Sequence, residues 1–474
     1  MVPVTLLSRI PGQQCSPGHM GVPTLWRIHR AAGRQPLEIA MHLTASTRTP
    51  QSAETRSHPA VIVLCMIITV IEGFNLIVFG SVVPLLLKDS SLGITDQQIG
   101  LIGGLVYIGA IIGALLAPVV AERTGRKRVL ILAISLFAVG AVLTGASISG
   151  PMLAAARFVT GFGVGGALTT AMTVARNSAA SRRASIVVTV TMAGIPLGGV
   201  VASLLAIPIL PAFGWRPMFF IGAGTALAIL VGVVAMRIPT DTPQELAGRG
   251  WTGRHKLAAL FSGRGAVVAL VVGICAIANM VAWQGLNVWA TQSMVDLGYS
   301  LSAALLFAFA LTGAAVLGSF ASGWAADRHG SALLTVATAA CTLLGLIGIL
   351  VLPVSVPATI VCIALMGIGG HSTMNLVHTT TADIYPLPAR AAALGWSNST
   401  SFIGAFLGPA LGGAAIASGG AHGVFTTFAI AAAVCFVAVA SLFVADRVST
   451  HSTFKHPVDH ARHGEPLIPA EVPA

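Results

Sequence analysis

Charge is what this sequence lacks most. Asp, Glu, Lys and Arg make up 9% of its 474 residues, against roughly 25% in an average soluble domain. A soluble fold needs a polar shell, and this chain has too few charges to build one. That excludes an ordinary globular enzyme, a disordered protein and a nucleic-acid-binding domain. A net charge of +11 would otherwise suggest nucleic acid, but the arginines cluster in short loops between apolar runs. Aromatics are scarce as well, at 6%, without the short alternating strands and aromatic girdles of a membrane β-barrel. No Gly-x-x-x-x-Gly-Lys-Ser/Thr loop occurs, so ATP drive is not encoded in the chain. The six cysteines (Cys15, Cys65, Cys275, Cys341, Cys362 and Cys435) have no metal-ligand spacing. They read as small buried hydrophobes, and neither a metal nor another cofactor is expected.

What is present is apolar and small. Hydrophobic residues account for 55% of the chain, with 53 glycines among the rest. Continuous apolar runs of about twenty residues predict membrane-spanning helices, because a helix satisfies its own backbone polar groups in lipid. Abundant small residues suit close packing of such helices. The expected fold is all-α and integral to the membrane, with twelve spans near 60–87, 97–120, 129–148, 152–174, 184–209, 217–236, 266–290, 301–325, 331–352, 358–380, 391–416 and 424–445. The polar stretch 237–265 divides them into six-helix halves at 60–236 and 266–445.

Residues 1–59 read as an N-terminal tail whose first apolar stretch, Val2 to Leu7, is too short for a signal peptide. Met41 is an alternative start, which would make 1–40 an upstream mis-translation; otherwise 1–40 reads as a disordered tail. The C-terminal tail, 446–474, carries His451, His456, His460 and His463 and reads as solvated. All but three of the 26 lysines and arginines fall in the tails and loops of one side. The exceptions are Lys88 and Arg216 on the other side, and Arg157 inside the fourth span. This asymmetry places both termini in the cytoplasm of a bacterial inner-membrane protein. Nothing in the sequence specifies an oligomeric state.

The halves share a signal at equivalent positions. Glu122-Arg123-Thr124-Gly125-Arg126-Lys127-Arg128 follows the second span, and Asp327-Arg328-His329-Gly330 follows the eighth. Acid–Arg–x–Gly twice in register indicates a duplicated six-helix unit. The chain therefore resembles a major facilitator superfamily transporter over about residues 58–446. Its first loop is similar to the superfamily signature Gly-x-x-x-Asp-Arg-x-Gly-Arg-Lys/Arg-Lys/Arg, with Pro118 for the glycine and Glu122 for the aspartate. Gly323, Asp327, Arg328 and Gly330 fit the pattern without departure. The resemblance implies that Glu122, Arg123, Gly125, Arg126, Asp327 and Arg328 form loops controlling the switch between inward-open and outward-open states.

Further stretches resemble the aromatic acid:proton symporters. They are Glu72-Gly73-Phe74-Asn75 in the first span, Arg157-x-x-x-Gly161-x-Gly163-x-Gly165 in the fourth, Gly214-Trp215-Arg216, Asp383-Ile384-Tyr385-Pro386, and Gly404-Ala405-Phe406-Leu407-Gly408-Pro409. Asn75 departs from that family's second acid, and Phe402 from its arginine. The resemblance also implies that spans 1, 4, 7 and 10 line a central cavity.

An ionisable side chain at the centre of a span costs on the order of 2.5–3.5 kcal/mol, so the few present usually serve a function. Glu72 is the candidate proton site; the alternative is a permanent ion pair with Arg157. Arg157 offers a planar fork to a carboxylate; the alternative is bonding to backbone carbonyls. His371, Asn375 and His378 stand at i, i+4 and i+7 on one face, fitted either to substrate and protons or to polar helix packing. Asn279, Trp283 and Asn287 also repeat at helical spacing, an aromatic plate flanked by amides that suits a flat ring or ordinary packing. The function expected is proton-coupled uptake of a small aromatic acid, the partners being that acid, protons and the bilayer. An exporter of drug-like or metabolite substrates and a non-transporting membrane receptor are the alternatives.

Overall fold

The computed structural model describes residues 58–179, 187, 190–238, 260–261, 263–353, 355–385 and 387–449. The N-terminal tail with Met41, most of the central polar stretch and the four C-terminal-tail histidines lie outside the described residues. The helices are α1 (Pro59–Leu86), α2 (Asp96–Thr124), α3 (Arg126–Gly145), α4 (Gly150–Asn177), α5 (Gly194–Phe213) and α6 (Arg216–Ala235), then α7 (Gly263–Asp296), α8 (Leu301–His329), α9 (Ser331–Val351) and α10 (Val356–Ile384). The last helical segment, Leu387–Ser449, is interrupted where Gly419 (φ −142°, ψ 16°) and Gly420 (φ 56°, ψ −153°) leave helical geometry. It is therefore two helices, α11 (387–418) and α12 (421–449). Among the described residues this gives the expected twelve.

Local chemistry sets the ends. Proline stands in the first turn of α1, α4, α6 and α10, where its missing N–H costs nothing and its φ is already helical. A capping box opens α2: the Gln98 amide donates to Thr95 Oγ1 at 3.4 Å, and the Thr95 amide donates to Gln98 Oε1 at 3.0 Å. Gly125 ends α2 at φ 86°, ψ 149°, and Gly330 ends α8 at φ 90°, ψ 143°. The two acid–Arg–x–Gly loops thus turn with one backbone conformation, in a region of positive φ that favours glycine.

Several helices outrun the expected limits. α2, α7, α8 and α10 each continue about four to six residues beyond the apolar run, because backbone hydrogen bonding does not stop where hydrophobicity does. α5 runs through Pro208 and Pro211 to Phe213 and stops only at Gly214, at φ 75°. Its expected beginning at 184 falls outside the described residues.

Packing follows the small residues. On α4, a Cβ on Gly161 or Gly165 would meet the Val106 or Ala110 carbonyl of α2, and one on Gly163 would lie 2.5 Å from the Phe137 nitrogen of α3. Such close approach is how helices gain dispersion contact in lipid. The hydrophobic clusters have a revealing layout. One cluster draws on both halves, including Phe74 to Leu86 of α1, Ile99 to Tyr107 of α2, Met280 to Met294 of α7 and Ala405 to Ile416 of α11. All of it lies toward the end of the molecule that is poor in arginine. Toward the Arg-rich end the clusters separate. One belongs to α1, α3, α4, α6 and Ile238, three residues beyond α6. The other two belong to the second half, with Leu260 just before it. Across the halves, Gly80 of α1 abuts the Asn287 carbonyl of α7, Gly100 of α2 lies under Pro409 and Gly413 of α11, and Gly199 of α5 faces Thr312 of α8.

Candidate functional site

The candidate residues fall in the layer where the shared core gives way to the separate ones. On α1, Glu72 lies between Ile68 of a separate cluster and Phe74 of the shared one. On α4, Arg157 lies between Leu153 (shared) and Val164 (separate). On α7, Asn279 lies between Ala278 (separate) and Met280 (shared). On α10, His371 and Asn375 lie between Met366 (shared) and Val377 (separate). A polar layer at one depth thus crosses α1, α4, α7 and α10.

In the first half, Glu72 is 3% exposed and Arg157 1%, yet no ion pair joins them. Neither carboxylate oxygen of Glu72 has a hydrogen-bond partner among the described residues. Arg157 donates from Nη1 to the Asn75 carbonyl at 3.3 Å, and its guanidinium lies 4.6 Å from the centre of the Phe79 ring. Its Nε–H has no hydrogen-bond partner among the described residues. Asn75 donates to the Ile71 carbonyl at 3.3 Å and lies where a side chain at Gly222 of α6 would have to go. Phe79 and Asn75 are therefore the surroundings of Arg157, a role the sequence did not disclose.

In the second half, Asn279 donates to the Gly370 carbonyl at 3.0 Å. Trp283 meets His371 edge to face, with ring centres 5.8 Å apart. Asn287 donates to the Trp283 carbonyl at 2.8 Å, and its Oδ1 has no partner among the described residues. His371 is 1% exposed, and its Nδ1 lies 2.8 Å from Ser319 Oγ of α8 and 3.2 Å from Asn375 Nδ2. His378 lies a turn further on, with Nδ1 2.9 Å from Ser397 Oγ of α11. Asn279, Trp283, His371 and Asn375 are thus brought together, whereas His378 pairs with α11. Ser319 and Ser397 were missed, because a single serine in an apolar helix sends no signal; Ser319 also bonds the Ala315 carbonyl one turn back.

The duplicated loops lie at the Arg-rich end. Glu122 and Arg123 are in the last turn of α2, and Arg126 opens α3 directly after Gly125. Asp327 and Arg328 are in the last turn of α8, with Arg328 stacked 3.9 Å from the Trp324 ring centre. Lys127 donates to the Val234 and Met236 carbonyls at 2.7 and 2.9 Å, tying α3 to the end of α6.

The Major Facilitator Superfamily profile matches residues 65–356 and 272–467. The chain belongs to that superfamily. Among relatives, it is 30% identical over 392 residues to the gentisate transporter of Corynebacterium glutamicum, covering 81% of this chain and 87% of that one. It is 25% identical over 411 residues to the benzoate transport protein of Acinetobacter baylyi (79% and 87%). It is 27% identical over 417 residues to the 4-hydroxybenzoate transporter PcaK of Pseudomonas aeruginosa (80% and 91%). Solved structures share the superfamily fold. A D-xylose–proton symporter matches with TM-score 0.67 at 17% identity, over 80% of this chain and 96% of its own. A bacterial Spinster homologue matches with TM-score 0.65 at 17% identity, over 82% and 96%.

Proposed function

We propose that this superfamily member carries a small aromatic acid together with protons into the cell across a bacterial inner membrane, without changing it chemically and without a cofactor. The observation that carries the reading is the buried polar layer on α1, α4, α7 and α10, at the depth where the halves part. The relatives named above are described as carriers of gentisate, benzoate and 4-hydroxybenzoate, each a carboxylate on an aromatic ring. The Arg157 fork is matched to that carboxylate. Trp283, flanked by Asn279 and Asn287, suits the ring, and His371, Asn375 and His378 supply its polar wall. An ionised carboxylate without a partner is costly in an apolar medium, so Glu72 carries its proton in this state and releases it in another.

Retention of Lys and Arg on one side supports cytoplasmic termini. With that orientation the shared core closes the periplasmic side, and the state is inward-facing. The halves 60–236 and 266–445 then rock about the shared core. Glu122, Arg123, Gly125, Arg126, Asp327 and Arg328 set the switch at the cytoplasmic ends, where the halves approach in the opposite state. Uptake of labelled benzoate by cells expressing the full chain tests the reading. Accumulation that a protonophore collapses is expected; accumulation indifferent to the protonophore, or efflux alone, contradicts it.

A further inference from the structure

We infer that His371 reads an oxygen on the substrate's ring, donating to it from Nε2, with Ser319 and Asn375 as the groups that hold the imidazole in the donating tautomer. The inference rests on the aromatic-acid reading above and adds which member of that class the site prefers.

The hydrogen bonds decide the tautomer. An amide nitrogen only donates, so the 3.2 Å contact from Asn375 Nδ2 makes His371 Nδ1 an acceptor. The Ser319 hydroxyl, 2.8 Å from the same nitrogen and 2.7 Å from the Ala315 carbonyl, has a proton to give to either. The neutral ring therefore bears its hydrogen on Nε2. That atom is buried and has no partner among the described residues.

The surroundings are built to hold this arrangement. Asn279 fixes α7 against α10 through the Gly370 carbonyl. A Cβ on Gly370 would lie 2.5 Å from Cε3 of Trp283, so the glycine admits the indole beside the imidazole. A buried donor left unpaired beside the indole discriminates by chemistry rather than by size. A ligand oxygen satisfies the donor, and a ligand without one leaves it unpaired, which is how sites built to hydrogen-bond a substrate group reject analogues lacking it. With the carboxylate on Arg157 in the other half, the oxygen that reaches His371 is a ring substituent, so the preferred class is the ring-hydroxylated aromatic acid.

The test is the ratio of transport efficiencies for 4-hydroxybenzoate or 3-hydroxybenzoate over benzoate, measured in membrane vesicles. The parent is expected to favour at least one hydroxylated acid by ~10-fold or more. His371→Leu should bring that ratio close to one. His371→Gln, whose amide N–H reaches about as far as Nε2, should keep most of it. Ser319→Ala should lower it through KM for the hydroxylated acid, and Ser319→Thr should restore it. A ratio unchanged in His371→Leu overturns the inference. So does an equal loss for both acids, which would place His371 on the carboxylate, or a membrane-inserted His371→Leu that carries neither. A parent protein that carries no aromatic acid overturns the underlying reading as well, and the parent measurement shows this before any variant is made.

Discussion

Arg157 is held by the Nη1 bond to the Asn75 carbonyl and by the Phe79 ring, whose centre lies 4.6 Å from the guanidinium. Arg157→Lys keeps the charge but loses the planar fork. KM for aromatic acids should rise ~10-fold or more, the worth of one charge-assisted hydrogen bond, at an unchanged protein level in the membrane. Uptake kinetics beside an immunoblot check this, and parental kinetics would exclude bidentate binding. Asp89 makes a different kind of residue-scale case, outside the spans. Its carboxyl is held below the ordinary value of 3.8, first by hydrogen bonds from Ser91, then by the Trp215 indole N–H and the nearby Arg216. These contacts, Trp215 Nε1 at 3.0 Å and Arg216 Nη1 at 3.2 Å, tie the α1–α2 loop to the start of α6. A carboxyl whose value is lower in the folded state stabilises fully above its unfolded value and loses that contribution as pH falls through the folded one. The stability difference between the parent and Asp89→Asn should thus stay constant from about pH 8 to 5 and shrink only below about 4. Thermal unfolding across that range measures it, and a difference that shrinks between pH 7 and 5 contradicts the assignment. Glu72, Arg157 and His371 were legible in the sequence because an ionisable group in an apolar run is expensive. Ser319, Ser397 and Gly370 were not, because a lone serine in an apolar run and a glycine among 53 carry no local mark. Only the neighbouring helix gives them meaning.

At the scale of the helices, the α2–α11 seam closes the Arg-poor end through absent side chains. A Cβ on Gly413 would lie 2.8 Å from the Asp96 carbonyl, 3.1 Å from Gly100 Cα and 3.2 Å from the Trp289 ring. Trp289 cannot retreat freely, since its indole N–H donates to the Pro409 carbonyl at 2.8 Å. Gly413→Val should therefore force α2 and α11 apart at that end while leaving each helix inserted. The readout is a cysteine in place of Phe406, which packs on Gly104 across the seam, in a background lacking the native cysteines. It should react faster with a membrane-impermeant maleimide added outside when Gly413→Val is present; an unchanged rate would mean that the seam is not the closure. The twelve spans were readable because lipid forces a helix wherever an apolar run is long enough. Their ends were less so. Hydropathy marks the depth of the membrane, whereas α2, α7, α8 and α10 end where a cap or a glycine of positive φ ends them. The separation of α11 from α12 rests on two adjacent glycines inside one apolar stretch.

For the whole molecule, the layout of the cores carries the mechanism: one hydrophobic body joins the halves at one end, separate bodies lie at the other, and unpaired polar groups occupy the layer between. Sequence patterning foretold the halves through their repeated loops, but not which end was joined, because that depends on side chains far apart in the chain meeting across the pseudo-symmetry. Under the proposed function the same layout gives Glu72 its role. It is a buried carboxyl without a hydrogen-bond partner among the described residues, and the proposal has it bind a proton on one side and release it on the other. Glu72→Gln keeps the size and polarity of the protonated form but has no proton to release, so folding and substrate exchange should survive while coupling is lost. The most direct measurement is made in proteoliposomes containing the full chain, with labelled benzoate outside and an imposed pH gradient, acid outside. The parent should concentrate the acid above its equilibrium level. Glu72→Gln should exchange labelled for unlabelled acid at a comparable rate without concentrating it. A Glu72→Gln protein that still concentrates benzoate under the gradient would contradict proton coupling through this residue, and a parent that never concentrates it would contradict proton-coupled uptake itself.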